Sequence, residues 1–153
     1  MIIRAATPAD AQGMCDVLNP LIEAGGTTAL RTPFTADRMT EVYVLRDALI
    51  SCSVADQDGR ILGFQSLEWS APKHDPLPEG WGVIATFARI DGNKRGVGRA
   101  LFARTLEEAR KAGVPTIDAT IRHENTGGQI YYGKMGFQDW TSGPETVSKR
   151  YDL

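Results

Sequence analysis

The chain is poor in cysteine and histidine, with two of each among 153 residues. Cys15, Cys52, His74 and His123 are too scattered to show the ligand spacing of a zinc site, so no metal is expected. Two cysteines are too few for a disulfide scaffold. There is no apolar run of the roughly 18 residues that a membrane-spanning helix needs. There is no basic excess either: 17 Lys and Arg against 19 Asp and Glu leave a net charge of −2. That balance is no footprint for general nucleic-acid binding. The N-terminus, Met1-Ile2-Ile3-Arg4, lacks the charged-then-apolar layout of a signal peptide. These absences lead to the expectation of a cytoplasmic domain with free thiols and no membrane or nucleic-acid partner. Cys15 and Cys52 then read as small buried hydrophobes.

What is present is ordinary for a globular protein: 42% hydrophobic and 24% charged residues. The length suits one domain over residues 1–153, and a chain of this size can bury roughly 68–70% of its unfolded surface. Strand-like and helix-like segments alternate, which points to an α/β (α+β mixed-sheet) protein. Ile2 to Arg4 reads as a strand. Thr7-Pro8-Ala9-Asp10 opens a helix, with Thr7 as cap, Pro8 in the first turn and Asp10 as a capping-box acid. Ala11, Met14, Leu18, Leu21 and Ile22 give that helix one apolar face, and Gly25-Gly26 stops it. Thr35 caps a second helix that turns Met39, Val42, Tyr43 and Leu45 inward. Ile50 to Ala55 and Ile61 to Trp69 form a hairpin about Asp58-Gly59. A proline-rich loop over 70–80 leads to a strand from Trp81 to Ile90. A helix runs from Gly96 to its stop at Gly113, a strand from Val114 to Ile121, and a short helix from Asn125 to Met135. Phe137 to Trp140 and Thr146 to Leu153 end the chain as strands. The order is β-α-α-β-β-β-α-β-α-β-β.

The turn before the third helix carries the chemistry. Gly96, Gly98 and Ala100 leave the first helical turn bare, and the first four N–H groups of a helix lack intrahelical partners. The helix dipole adds positive potential there, so the turn suits a phosphate or pyrophosphate. Lys94, Arg95, Arg99, Arg104, Arg110 and Lys111 add a local basic excess over Glu107 and Glu108. The string is not a P-loop, and Leu101 occupies the last position of a dinucleotide fingerprint.

Arg95-Gly96-Val97-Gly98-Arg99-Ala100 resembles the acetyl-CoA motif of the GCN5-related N-acetyltransferase (GNAT) family, R/Q-x-x-G-x-G/A. The preferred register sets Gly96 and Gly98 at the small positions and begins at Asn93, a departure from the usual Gln or Arg. Asn125 through Tyr132 and Lys134 to Gly136-Phe137 is similar to the later family motif N-x6-Y-x-K-x-G-F. Both motifs lie in the family's order, and the resemblance spans nearly the whole chain.

The resemblance implies the GNAT fold and transfer of an acetyl group from acetyl-CoA to an amine by direct attack through a tetrahedral intermediate. It implies a cofactor site made by the strand end Phe87, Ala88 and Arg89, by the turn residues Asn93, Lys94, Arg95, Gly96, Val97, Gly98, Arg99 and Ala100, and by Asn125, Tyr132 and Lys134. The strand end would supply the N–H that polarises the thioester carbonyl. Tyr132 matches the tyrosine that protonates the departing thiolate; residue type alone favours a core tyrosine, and the matched spacing reverses that. Tyr131 reads as structural. Asn125 can bond the cofactor arm, cap its own helix, or both. Lys134 is either near the CoA phosphates or a solvated charge.

The general base is less legible. Glu68 at the end of the third strand is the first candidate, followed by Glu79, Asp75 and His74 in the next loop, each of which could instead be a solvated charge. His123 reads as an exposed turn residue. For the acceptor, Thr28, Arg31 and Phe34 lie in the loop after the first helix, where the family places its substrate site. Thr27-Thr28, Pro33 and Leu21 are faintly similar to phosphinothricin-type amino-acid acetyltransferases. The expected substrate is a small amine or amino acid. A protein N-terminus or lysine, or a non-catalytic acyl-CoA sensor, are the alternatives. Trp69, Trp81 and Trp140 could line a pocket, with core packing the default. The resemblance also allows a homodimer.

Overall fold

Seven strands form one sheet, in the order β1-β2-β3-β4-β5-β7-β6. The protein is described by a computed structural model covering residues 1–71, 77–92 and 95–153. The strands are β1 (Ile2–Ala5), β2 (Leu49–Gln57), β3 (Arg60–Trp69), β4 (Gly82–Ala88), β5 (Thr116–Arg122), β6 (Gln138–Ser142) and β7 (Thr146–Asp152). The helices are α1 (Ala11–Ala24), α2 (Ala36–Met39), α3 (Val97–Ala112) and α4 (Thr126–Met135). The element order expected from sequence is the observed one. All neighbouring strands are antiparallel except β4 and β5.

Both faces of the sheet are covered. Met14, Val17 and Leu18 of α1 and Met39 of α2 pack with Phe64 and Phe87 on one face. Phe102 and Ala109 of α3 and Tyr132 of α4 pack with Leu67, Ile84, Ile117 and Ile121 on the other. The second helical segment is shorter than its apolar spacing suggests: α2 gives way to a π turn over Thr40–Val44, and Leu45 ends exposed rather than inward. Cys15 and Cys52 are free and buried. Among the described residues, no helix is long and apolar enough to cross a membrane.

The first helix opens through one 3-10 turn, Pro8–Asp10. Asp10 plays its capping-box part by accepting the Thr7 N–H at 2.8 Å, while the Thr7 hydroxyl donates to Asp10 at 3.2 Å. Arg4 of β1 donates to both Asp10 oxygens, at 2.8 and 2.7 Å, and also to Asp56 of β2 at 3.0 Å. One guanidinium therefore ties the edge strand to both the helix entry and its neighbour strand, in the bidentate geometry that suits Arg.

The strand pair that matters most is β4 with β5. They match at two positions only, Gly82↔Ile117 and Val83↔Asp118. Beyond these, β5 pairs along its whole length with β7 and β4 with β3. The sheet opens between them.

The Arg4 guanidinium and, behind it, the Thr7 N–H hold the Asp10 carboxyl below its ordinary value, although burial opposes them. A lowered acid binds fewer protons folded than unfolded, so its stabilisation is complete above the ordinary carboxylate pKa. It is lost as pH falls through the lower folded value. Asp10→Asn is expected to cost about 1–3 kcal/mol near neutral pH. In urea denaturation, the gap between variant and wild type should close as the solution is acidified below about pH 4.

Candidate active site

A cavity of about 600 Å³ occupies the opening between β4 and β5. Its walls include Ile84 to Ala88 of β4, Gly96 to Gly98 at the start of α3, Thr120 to Arg122 of β5, Asn125, Gly128, Tyr131 and Tyr132 of α4, and Thr27 to Ala29.

The first wall is backbone. Arg89 N–H donates to Leu62 O at 3.0 Å, and Ser70 N–H donates to Trp81 O at 2.9 Å. Hydrogen bonding alternates along an antiparallel pair, so the odd-numbered residues of β4 turn their N–H and C=O toward β3. Those of Thr86 and Ala88 therefore face the opening. Of the strand-end residues expected to polarise a carbonyl, Ala88 alone has its N–H on the cavity side. Phe87 and Arg89 turn theirs to β3, and the Arg89 side chain donates to Ile61 O at 2.8 Å.

The second wall is the start of α3. Ala100 N–H closes the first helical bond onto Gly96 O at 3.0 Å. The N–H groups of Val97, Gly98 and Arg99 are left with no partner in the helix. Gly96 holds φ at +86° with nothing within 4 Å of where a Cβ would be, so backbone conformation makes glycine the apt residue there. Gly98 is constrained differently. A Cβ on it would lie 2.5 Å from Tyr131 Cε1, so the small residue admits the Tyr131 ring as well as leaving the helix end bare. Arg95 and Arg99 are exposed beside this turn and Ala100 is half-buried. Asn93 and Lys94 lie outside the described residues.

The third wall is α4. Asn125 caps its own helix, one of the two roles foreseen for it. Its Oδ1 accepts Gly128 N–H at 2.9 Å as helix cap, and it lines the cavity. Its Nδ2 also donates to Thr27 O at 3.3 Å, joining α4 to the loop after α1. Tyr132 is buried, and its hydroxyl lies 2.8 Å from Thr86 Oγ1. Tyr131 donates to Gly98 O at 2.7 Å, which ties α4 to the start of α3, and it shares the cavity wall. Burial raises both phenols: Tyr131 is pushed up to about 12 against opposing hydrogen bonds from Gln65 and Thr86, and Tyr132 goes higher still. Both are neutral proton carriers at physiological pH. Lys134 is exposed and is not part of the cavity wall.

The acceptor-side expectations need correction. Thr28 lines the cavity, its hydroxyl taking Leu30 N–H at 3.1 Å. Arg31 is exposed and does not line it. Phe34 is a core residue, buried against Tyr43 with its backbone held by Asn19 and Arg38 stacked on its ring at 4.2 Å. Glu68 also lies off the wall, its carboxylate 3.2 Å from Arg46. Period two along β3 turns it to the α1 face. Glu79 and His123 are exposed, and Asp75 and His74 lie outside the described residues. Trp81 and Trp140 pack on each other with Arg150 over Trp81.

Sequence reading missed Arg122, Thr86 and Gln65. Arg122 is the one charged side chain among the described lining residues. Gln65 is fully buried beneath the cavity. Its signal was a polar residue inside the apolar run from Ile61 to Leu67.

A family model described as the acetyltransferase (GNAT) family matches residues 26–137. No curated protein matches the chain. Among solved structures, a ribosomal-protein-alanine N-acetyltransferase from Brucella melitensis superposes with a TM-score of 0.84 at 20% identity, over 100% of both chains. The structure of yncA from Salmonella typhimurium, with its cofactor acetyl-CoA, gives 0.84 at 18% identity, over 99% of this chain and 93% of that one. A GCN5-related N-acetyltransferase from Kribbella flavida gives 0.84 at 20% identity, over 99% and 97%.

The two glycines should fail for different reasons. Gly98→Ala is expected to cost about 1–3 kcal/mol through overpacking against Tyr131, and a structure of the variant should show that ring displaced. Gly96→Ala should cost about 1–2 kcal/mol through its left-handed backbone, with Tyr131 unmoved. Urea denaturation of both variants, with a structure of each, checks the pair.

Proposed function

The chain belongs to the GNAT acetyltransferase family, and from that premise we propose that it moves the acetyl group of acetyl-CoA to the primary amine of a small molecule or amino acid. The observation that carries this is one cavity bringing together an open strand edge, a bare helix N-terminus and the Tyr132 hydroxyl.

The residues fit an acyl-CoA. Val97, Gly98 and Arg99 offer N–H groups and a helix dipole to its diphosphate. Gly96 leaves open space where any side chain would begin. Thr86 and Ala88 offer an unpaired strand edge to its amide-bearing arm, as a sheet edge does for a peptide. Acetyl-CoA supplies the thioester.

Ala88 N–H is the donor placed to hold the carbonyl oxygen as charge develops on it during direct attack by the amine. Tyr132 is the general acid: as the new C–N bond forms and the C–S bond breaks, the electron pair goes to sulfur and the phenol proton follows it. The proton lost by the amine goes to water, and water restores the phenol. A thiolate with an ordinary pKa near 8.5 leaves without strong help, so this contribution stays within about 10²–10⁴-fold.

For the acceptor, Arg122, whose Nε donates to Glu124 at 2.8 Å, lines the cavity with Thr27, Thr28, Thr120 and Thr146. This wall suits an amine that also carries a carboxylate, which an Arg can grip in bidentate fashion. The likeness to a ribosomal-protein-alanine N-acetyltransferase supports a peptide N-terminus as the second reading.

Calorimetry with acetyl-CoA, CoA and ATP tests the donor, with both CoA forms expected to bind and ATP not. A screen of amino acids and N-terminal peptides by thiol release then tests the acceptor. Tyr132→Phe should lower kcat by about 10²-fold or more while leaving acetyl-CoA affinity unchanged; an unaltered kcat removes the acid role. The rate should climb about tenfold per pH unit below the acceptor amine's pKa and then level. Because Tyr132 titrates above an ordinary phenol, no fall is expected before about pH 10 in the pH–rate profile. Arg122→Met should raise KM for carboxylate-bearing amines and leave uncharged amines alone.

A further inference from the structure

Beneath the cavity floor lies a closed set of polar groups that the catalytic reading does not use. Gln65 is fully buried. Its Oε1 accepts the Thr105 hydroxyl. Its Nε2 donates to Thr86 Oγ1 at 2.9 Å and to the Tyr131 hydroxyl at 3.0 Å. We infer that Gln65 is a positioning residue: it sets the direction of the hydroxyl chain through Thr86, so that the Tyr132 proton stays free for the cavity. The inference rests on the reading of Tyr132 as the acid.

The argument is a count of protons. An amide nitrogen carries two hydrogens and cannot accept, so the oxygens of both Thr86 and Tyr131 must accept from Gln65. Tyr131 places its own proton on Gly98 O at 2.7 Å. Thr86 has one proton, and the Tyr132 oxygen lies 2.8 Å away; the Tyr131 oxygen, which Thr86 also approaches, already accepts from Gln65 and donates to Gly98 O. Thr86 therefore donates to Tyr132. The Tyr132 oxygen receives that bond, and its own proton is left pointing to the cavity it lines. The reverse arrangement, with Tyr132 donating, would leave the Thr86 proton only the Tyr131 oxygen, which Gln65 already occupies. Turning the Gln65 amide over would strand one of its N–H groups, because on that side Thr105 offers a single oxygen. Each donor in the chain also polarises the next.

The thiol of bound CoA reports this without turnover. A phenol that donates to sulfur stabilises the thiolate, so the ultraviolet thiolate titration of the CoA complex should sit below the ordinary value near 8.5. Tyr132→Phe should raise it by about one unit or more. Gln65→Met keeps the shape and removes both donors, which lets Tyr132 turn its proton onto Thr86. It should raise the titration toward the Tyr132→Phe value and lower kcat about tenfold, the same free energy as one pKa unit. The kcat is read by thiol release from acetyl-CoA with a mixture of the proteinogenic amino acids.

Adding Thr86→Val to Gln65→Met removes that acceptor, so the titration should fall back toward wild type. A purely structural role predicts no such rescue. The inference is overturned if Gln65→Met leaves the titration in place, or if the second change raises it further. Should Gln65→Met not fold, Thr86→Val alone decides: a fall below the wild-type titration would mean that Tyr132 had been donating to Thr86, and would overturn the inference, whereas no fall supports it. If Tyr132→Phe itself moves neither readout, the acid reading fails and this inference with it. If Tyr132→Phe acts but the Gln65 and Thr86 variants depart from these outcomes, only the inference fails.

Discussion

The site depends on β4 and β5 parting after two paired positions. A continuous parallel pair would consume the outward N–H and C=O groups of Thr86 and Ala88 and leave no room between the strands. Two features keep them apart. The full length of β5 is committed to β7, and Tyr132 of α4 shares one buried cluster with Ile84 of β4 and Ile121 of β5. The crossover from β4 to β5 runs through α3, so that helix begins near the end of β4 where the gap is wide. Its unpaired N–H groups come to the same place as the unpaired strand edge.

Opening a sheet leaves polar groups at risk, since a buried donor or acceptor without a partner is costly. The layer under the cavity answers this with side chains. Thr105 on α3, Gln65 on β3, Thr86 on β4 and Tyr131 and Tyr132 on α4 join four elements in one hydrogen-bonded set. Tyr131 completes it through Gly98 O. The glycine that bares the α3 terminus is thus also the glycine that lets α4 dock, and the turn at the cavity is tied to the helix that carries Tyr132.

Much of the fold could be read in the sequence because local physics dictates it. The Asp58-Gly59 turn between two apolar alternations can only be a hairpin, and Gly113 after an amphipathic run can only end a helix. The bare helix start at Gly96 to Gly98 was equally legible, because backbone N–H groups at a helix start need no distant partner. The acceptor side was not. Arg31 and Phe34 belong to a loop whose residues gain a direction only from what they pack on, and Phe34 was drawn into the core by Tyr43 and the α1 side.

By itself, then, the sequence determined the element order, the bare helix terminus and the spacing that sets Tyr132 on α4. These follow from periodicity, capping and chain connectivity, which act over a few residues. Tertiary structure alone decided which face of β3 meets the cavity, putting Gln65 beneath it and Glu68 against Arg46 on the opposite side. It also decided that Ala88, rather than Phe87 or Arg89, turns its N–H to the opening. The reason is that strand side chains and backbone groups both alternate every residue, and only the register of a particular neighbour fixes which set points where.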